Sequence, residues 1–268
     1  MSQTIFITGA SSGLGEATVK IFAKNGWTVF AAMRNPEENK LFTGMDNVHL
    51  LKLDVNNADQ ILKVVAEAEQ ISPIDVLFNN AGYALAGPLE GMTDEQLQQQ
   101  ISTNFLGSLR LTRACLPWFR SRGRGVIINT SSLGAYIPNP LLAVYGSTKA
   151  ALESWAEGMN FELAAFGIVM KTIIPGLMST NFSVNAQVAG HPAYQDQIAK
   201  VLAVFSSAEL IETADNPMDV ASVVFEAATD NKKQMHYFAG ADATTKSAWL
   251  AKEGKEAVML AMEKYFLG

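Results

Sequence analysis

Residues 4 to 25 read TIFITGASSGLGEATVKIFAKN, and this stretch decides the fold. The β-branched and aromatic run Thr4–Thr8 predicts a strand, and the glycine-rich turn after it leads into a segment whose apolar residues recur at helical spacing. Gly26 then ends the helix. Residues 27–33 are almost continuously apolar, as expected of a parallel strand that is covered on both faces. The order is therefore strand, turn, helix, strand.

The same alternation of strands and helices continues along the chain. It predicts an α/β fold, a Rossmann-like doubly wound parallel sheet with helices on both faces. No linker, repeat or low-complexity stretch interrupts the sequence, so we expect a single domain over residues 1–268. Right-handed crossovers would place the loops after the strands at one ligand-binding edge. The further predicted strands are residues 48–53, 76–78, 126–130, 169–174 and 235–240.

Three later helices are also predicted. Thr93 and Gln96 form a capping box in front of a helix over 93–115, and a long helix over 147–166 ends at Gly167. The chain closes with a helix over 248–266.

Composition excludes several classes of function. A formal charge of −6 and a pI near 5.2 disfavour nucleic acid as a partner. The three arginines at 120, 122 and 124 are interpreted as a solvated loop. No apolar run reaches the roughly 20 residues that span a bilayer, so we expect a cytoplasmic protein without membrane insertion. The single cysteine, Cys115, is interpreted as core packing, and the three histidines show no metal-ligand spacing.

The turn after the first strand is a candidate phosphate loop. Gly9, Gly13 and Gly15 have no side chains, so backbone N–H groups could approach a pyrophosphate at the positive end of the helix that starts near Leu14. The spacing differs from Gly-x-Gly-x-x-Gly, and such a turn could also simply connect a strand to a helix.

The end of the second strand bears on cofactor choice. An acidic residue there would bind the 2′-hydroxyl of an adenosine ribose, but this sequence has Met33 followed by Arg34. A guanidinium can pair with a 2′-phosphate. We therefore predict a preference for NADP(H), with NAD(H) possible; the alternative is that Arg34 is an exposed loop charge.

Two further strand ends carry polar residues. Asp54 could accept a hydrogen bond from an adenine amino group or could cap the next helix. Ala81 and Gly82 are small enough to let the backbone approach a ribose, while Asn79 and Asn80 could be ordinary turn residues.

Tyr145 and Lys149 are candidate acid/base residues. Four positions apart at the start of a helix, they share one face, and a nearby ammonium would lower the pKa of the phenol towards the working range. A strand that ends in Ser131-Ser132 would bring a hydroxyl to the same edge, where a carbonyl oxygen could be held. Serines after strands also commonly bond the local backbone.

These motifs together resemble the short-chain dehydrogenase/reductase family over about residues 4–181. The resemblance rests on TGASSGLG at 8–15, NNAG at 79–82, Asn104, the set Ser132, Tyr145 and Lys149, and Pro175-Gly176. It implies a hydride transfer between NADP(H) and a carbonyl or alcohol carbon. Tyr145 would be the general acid in reduction, and Ser132, at the family spacing before it, would orient the carbonyl. Lys149 would hold the nicotinamide ribose and lower the Tyr145 pKa, and Asn104 would hold a water that relays protons.

The resemblance also implies the cofactor contacts and the variable regions. Pro175-Gly176 would cover the nicotinamide, and Thr180 would bond its carboxamide. The full cofactor-binding set is Gly9, Ser11, Ser12, Gly13, Leu14, Gly15, Arg34, Asp54, Val55, Asn80, Ala81, Gly82, Tyr145, Lys149, Pro175, Gly176 and Thr180. Residues 181–217 would form a lid, in which Phe182 with Val184, or Leu202 with Phe205, could line a pocket for a hydrophobic ketone or aldehyde, although such residues more often belong to a core. His191 in this lid is interpreted as a polar loop residue.

Two other functions remain open: a dinucleotide-binding regulator without turnover, and a lyase or epimerase that retains its cofactor. By family analogy, the helices over 93–115 and 147–166 would form the interface of a homodimer or homotetramer.

Overall fold

Helices and strands alternate through the computed structural model, which describes residues 2–182 and 186–268. The strands are β1 Thr4–Thr8, β2 Thr28–Met33, β3 Val48–Lys52, β4 Val76–Asn79, β5 Leu85–Ala86, β6 Gly125–Thr130, β7 Ile168–Pro175, β8 Gln187–Val188 and β9 His236–Ala239. The α-helices are α1 Gly13–Lys24, α2 Ala58–Ile71, α3 Asp94–Ile101, α4 Gly107–Arg122, α5 Ala143–Leu163, α6 Gln195–Phe205, α7 Ala208–Glu212, α8 Pro217–Thr229, α9 Ala241–Glu253 and α10 Lys255–Leu267.

The main sheet has seven parallel strands in the order β3-β2-β1-β4-β6-β7-β9. The direction of winding reverses between β1 and β4, and in sheets of this kind ligands bind beyond the carboxyl ends of the strands at such a reversal. A separate two-stranded pair, β5 with β8, lies outside this sheet.

Both faces of the sheet are covered by helices. All five residues of β1 are buried, including its two threonines, and β2 is buried from Val29 to Met33. One hydrophobic cluster joins the sheet to α1 and α8, and another joins it to α2, α4 and α5. The predicted doubly wound α/β fold is therefore confirmed.

The predicted strands are present, and each of their ends agrees with the observed end or differs from it by one residue. Trp27 lies one residue before β2, and its ring packs edge-on against Phe22 with 5.0 Å between ring centroids. The Thr93–Gln96 capping box is confirmed. The long helix, α5, begins at Ala143 rather than 147, so Tyr145 lies in its first turn.

Two helix predictions were wrong. The closing helix is divided at Gly254, where a backbone φ of +80° ends α9 before α10 begins. The helix predicted over 93–115 is interrupted by a π-helical turn, Ser102–Leu106, and continues as α4 to Arg122. Positive-φ glycines and π turns both break the regular hydrogen-bond ladder of an α-helix.

Two smaller interpretations are settled by the packing. Cys115 is fully buried in the core, as predicted. Arg122 is not a solvated loop residue, because its guanidinium makes two hydrogen bonds to Glu69, at 2.7 and 3.0 Å, and so ties α4 to α2. Within the described residues, no helix is long and apolar enough to cross a membrane.

Candidate active site

A cleft of about 1250 Å³ opens at the carboxyl ends of the central strands. It brings together every predicted site residue except Gly15 and Asn104, which lie behind its wall. The predicted residues that line it are Gly9, Ser11, Ser12, Gly13, Leu14, Arg34, Asp54, Val55, Asn80, Ala81, Gly82, Ser132, Tyr145, Lys149, Pro175, Gly176 and Thr180.

The glycine-rich turn forms one end of the cleft. Gly9 has a φ of +65°, and a Cβ there would lie 2.9 Å from the Cα of Ala81. Ser12 is the N-cap of α1, but its exposed side chain makes no capping hydrogen bond. The first N–H groups of a helix have no partner within the helix. The turn therefore offers backbone N–H groups and serine hydroxyls to the cleft, a donor set that fits a pyrophosphate.

Gly15 supports this turn from behind. A Cβ on Gly15 would collide with the carbonyl oxygen of Gly9. This close approach of α1 to the turn explains the third glycine of the motif.

We expect Gly15→Ala to destabilise the protein by about 1–3 kcal/mol and to weaken nucleotide binding, because the turn must shift to admit the methyl group. Gly158→Ala in α5 is the matched control, since a Cβ there meets nothing within 4 Å, and it should stabilise the fold slightly. Thermal unfolding of both variants tests this. Equal melting temperatures for Gly15→Ala and the wild type would contradict the packing argument.

A side-chain clamp fixes the turn to the neighbouring strands. Asn80 donates from Nδ2 to the carbonyl oxygen of Thr8 at 3.0 Å, and its Oδ1 accepts from Thr130 Oγ1 at 3.1 Å. Thr8 Oγ1 accepts in return from the backbone N–H groups of Asn80 and Ala81. Asn80 is thus more than an ordinary turn residue. The role of Thr8 was missed, because a strand threonine gives no sign of it in the sequence.

Arg34 directly follows β2, whose last residue, Met33, is buried. The Arg34 side chain is exposed. Asp54 also lines the cleft, with Oδ1 accepting from the backbone N–H of Asn56 at 2.9 Å. The alternative that Asp54 caps the next helix was wrong, because Asn57 caps α2 through Gln60.

The three candidate catalytic side chains converge at the far end of the cleft. Tyr145 and Lys149 are both buried, and Lys149 Nζ lies 5.8 Å from the centroid of the Tyr145 ring. Lys149 Nζ also donates to the carbonyl oxygen of Thr130 at 2.7 Å, which anchors it to the end of β6. Ser132 begins the short 3-10 turn that follows β6, and its Oγ accepts from the N–H of Gly134 at 3.0 Å.

Burial governs the charges of this group. It raises the pKa of Tyr145, an effect that the neighbouring Ser132 hydroxyl opposes. Burial also lowers the pKa of Lys149 to about 8, while the charge of Glu153 acts to raise it. Burial is the largest influence on the Tyr145 phenol in this structure, and the lowering of its pKa by Lys149 stays a prediction.

Asn104 lies in the π-helical turn and is buried beside this group. Its Oδ1 accepts from the N–H of Tyr83 at 3.1 Å, and its Nδ2 donates to the Tyr83 carbonyl at 2.9 Å. A Cβ on Gly82 would lie 3.1 Å from Asn104 Oδ1 and 3.6 Å from Lys149 Nζ. Asn104 therefore fixes the segment that faces Lys149.

The predicted lid contributes only part of its apolar residues to the cleft. Phe182 lies 5.9 Å from Tyr145 between ring centroids, and Phe205 also lines the cleft. Leu202 does not; it is half exposed and faces a separate shallow depression. Val184 lies outside the described residues. His191 is a polar loop residue as predicted, with Nδ1 accepting from the N–H of Ala193.

Comparison with known proteins identifies the family. The model of the short chain dehydrogenase family matches residues 3–189. This chain belongs to the short-chain dehydrogenase family. An uncharacterized oxidoreductase of Schizosaccharomyces pombe is 36% identical over 239 residues, which are 88% of this chain and 100% of that protein.

Two solved structures extend the comparison. A short-chain dehydrogenase from Streptomyces avermitilis is 30% identical with a TM-score of 0.81, over 96% of this chain and 97% of the other. The closed form of a serine dehydrogenase complexed with NADP+ is 29% identical with a TM-score of 0.74, over 87% and 94% of the two chains.

In this short-chain dehydrogenase, part of the cleft wall comes from the region after the matched range. Trp249 of α9 and Met262, Tyr265 and Phe266 of α10 line the cleft. Phe205 and Phe266 also pack together, with 5.3 Å between ring centroids. These residues could not be assigned to the site from the sequence, because a helical apolar pattern does not distinguish a cleft wall from a core.

Proposed function

We propose that this protein transfers a hydride between NADP(H) and a carbonyl or secondary alcohol, most readily a hydrophobic ketone or aldehyde. The observation that carries the proposal is the convergence of Ser132, Tyr145 and Lys149 at one end of a cleft whose other end is the glycine-rich turn. The cleft thus joins a site for a pyrophosphate to a site for proton transfer.

Each side chain has a defined part in the reduction. Bound nicotinamide supplies the hydride to the carbonyl carbon. Ser132 donates a hydrogen bond to the carbonyl oxygen and orients it, and Tyr145 gives its phenolic proton to that oxygen as negative charge develops there. Lys149 holds the nicotinamide ribose, and its ammonium stabilises the phenolate that remains. Through its backbone, Asn104 would hold the water that returns a proton to Lys149, because both polar atoms of its side chain are hydrogen-bonded to Tyr83.

Burial also suits these roles. A phenol whose pKa is raised keeps its proton near neutrality, the state that an acid needs for reduction. The alcohol-oxidising direction requires the phenolate, so it should be favoured at higher pH. The initial rate of NADPH oxidation with a panel of ketones and aldehydes tests the proposal, and tight NADPH binding without any turnover would favour a regulator instead.

The preference for NADP(H) rests on Arg34. Its exposed guanidinium is at the edge of the cleft. Position 33 is a methionine, so it carries no carboxylate that would repel a 2′-phosphate. The NADP+ complex of the similar serine dehydrogenase is consistent with this preference.

We expect Arg34→Ala to weaken NADPH binding about 10- to 100-fold while NADH binding changes little, because only NADPH carries the charge that Arg34 pairs with. Fluorescence titration of both nucleotides measures the two affinities. Lys40→Ala is the control, since Lys40 is also exposed but does not line the cleft. Equal losses for the two nucleotides would exclude a 2′-phosphate contact.

The substrate end favours an apolar molecule. Its walls include Leu133, Phe182 and Trp249, and the charge of Lys246, which also lines the cleft, is paired with Asp242 at 2.7 Å. Apolar walls with few polar groups are typical of sites for hydrophobic ligands.

Self-association through α4 and α5 is part of the proposal. Trp118 and Phe161 leave apolar surface exposed on these helices, and Phe161 is 87% exposed. Contiguous exposed apolar patches mark protein interfaces, and a shared interface would cover both rings. Light scattering should show a homodimer or homotetramer. A monomer at micromolar concentration would contradict the proposed self-association.

A further inference from the structure

Helix α5 carries a buried carboxylate one turn beyond Lys149. Glu153 is only 6% exposed, and its position four residues later places it on the same side of the helix as Lys149. Glutamates are almost never this buried unless they are paired. The steps of the proposed reduction do not use it directly.

One oxygen of Glu153 connects several elements of the site. Its Oε2 accepts from the Tyr136 hydroxyl at 2.8 Å and from Thr172 Oγ1 at 3.0 Å, and it lies 2.8 Å from His236 Nδ1. Tyr136 follows the turn that begins at Ser132, Thr172 lies in β7, and His236 begins β9. Glu153 thereby joins the helix of Tyr145 to the segment of Ser132.

The other oxygen of Glu153 is not satisfied in the same way. Oε1 is buried and has no hydrogen-bond partner within residues 2–182 and 186–268. Such a group costs free energy, and an apolar side chain of similar size would often be as stable. The hydrogen bonds of Oε2 alone therefore do not explain why position 153 is a carboxylate.

The charge of Glu153 acts on Lys149. Burial lowers the Lys149 pKa to about 8, and the negative charge of Glu153 limits that fall. The other ionisable groups around Glu153 are Tyr136, His236 and, one turn further along α5, Glu157, whose Oε1 lies 3.3 Å from His236 Nε2. Glu157 is about half exposed, so solvent screens its charge.

We propose that Glu153 is a positioning residue: its Oε2 holds the Ser132 segment against α5, and its buried negative charge, one turn from Lys149 on the same helix face, stabilises the Lys149 ammonium. The inference rests on the proposed function, in which Lys149 must be charged to hold the ribose and to stabilise the Tyr145 phenolate.

The test compares Glu153→Gln with Glu157→Gln. The pH dependence of the NADPH dissociation constant, measured by fluorescence, and that of kcat for ketone reduction are followed for both variants and the wild type. The NADPH dissociation constant should rise and kcat should fall as the pH rises through the Lys149 pKa. Glu153→Gln should move that loss to lower pH by about one unit, because an opposite charge near Lys149 has been removed. Glu157→Gln should leave it in place.

Two further variants separate charge from scaffolding. Tyr136→Phe keeps the charge but removes the tie to the Ser132 segment, so kcat should fall without a shift of the pH profile. Glu153→Met, an apolar replacement of similar length, should reproduce the shift and serves if Glu153→Gln does not fold.

An unshifted binding profile in a folded Glu153 variant, or an equal shift in Glu157→Gln, would overturn the inference. Failure of the proposed function looks different. In that case the wild type would bind NADPH and turn over no carbonyl substrate, while the shift in the binding profile would still report the action of Glu153 on Lys149.

Discussion

Tyr145→Phe should lower kcat for ketone reduction by about 100- to 10,000-fold and leave NADPH affinity nearly unchanged. The loss corresponds to the contribution of a positioned general acid, about 3–5 kcal/mol of transition-state stabilisation. The phenyl ring fills the same buried space beside Phe182, so folding should be preserved. Steady-state rates with a saturating ketone, together with fluorescence titration of NADPH, measure the two effects.

Tyr194→Phe provides the control for this prediction, because Tyr194 loses the same hydroxyl without lining the cleft. Its kcat should equal that of the wild type. Retention of most of kcat by Tyr145→Phe would remove the phenol from the mechanism and would require another acid in the cleft.

Lys149→Met should lower kcat by at least 100-fold and also weaken NADPH binding. Unlike Tyr145, Lys149 acts on both the cofactor ribose and the phenolate, so its loss affects affinity as well as the chemical step. Methionine fills the buried volume but leaves the Thr130 carbonyl oxygen without the donor it has at 2.7 Å. Rates and NADPH titrations over a range of pH distinguish this variant from Tyr145→Phe.

Lys63→Met is the matched control, since Lys63 is largely exposed on α2. Normal NADPH affinity in Lys149→Met would show that the ammonium does not hold the ribose. A normal kcat would show that it does not support the phenol either.

Most of the fold could be predicted from the sequence, because buried parallel strands are continuous apolar runs and each is followed by a turn. The glycines at 9 and 13 could be placed for the same reason, since a turn at a strand end needs their backbone freedom. The Tyr145–Lys149 pair was also predictable, because a spacing of four fixes one helix face.

What could not be predicted depends on tertiary packing. Gly254 has a positive φ and divides the last helix, but the apolar pattern is helical on both sides of this glycine and did not reveal the break. The contribution of Phe266 to the cleft was missed because it depends on how the second of these helices packs. Glu153 would ordinarily face solvent on a helix, and its burial follows from Tyr136 and His236, which are distant in sequence. The Tyr145 pKa likewise depends on burial that spacing does not reveal.

The most direct test of the central claim is to follow the hydrogen itself. Purified protein would be given NADPH deuterated at C4 and a hydrophobic ketone, and the alcohol product would be analysed by mass spectrometry. We predict one deuterium on the carbinol carbon from one of the two C4 positions, in amounts equal to the NADPH oxidised, and about 100- to 10,000-fold less deuterated alcohol in the same time with Tyr145→Phe. NADPH oxidation without deuterium in the alcohol, or no oxidation with any ketone or aldehyde despite tight NADPH binding, would contradict hydride transfer as the function of this cleft.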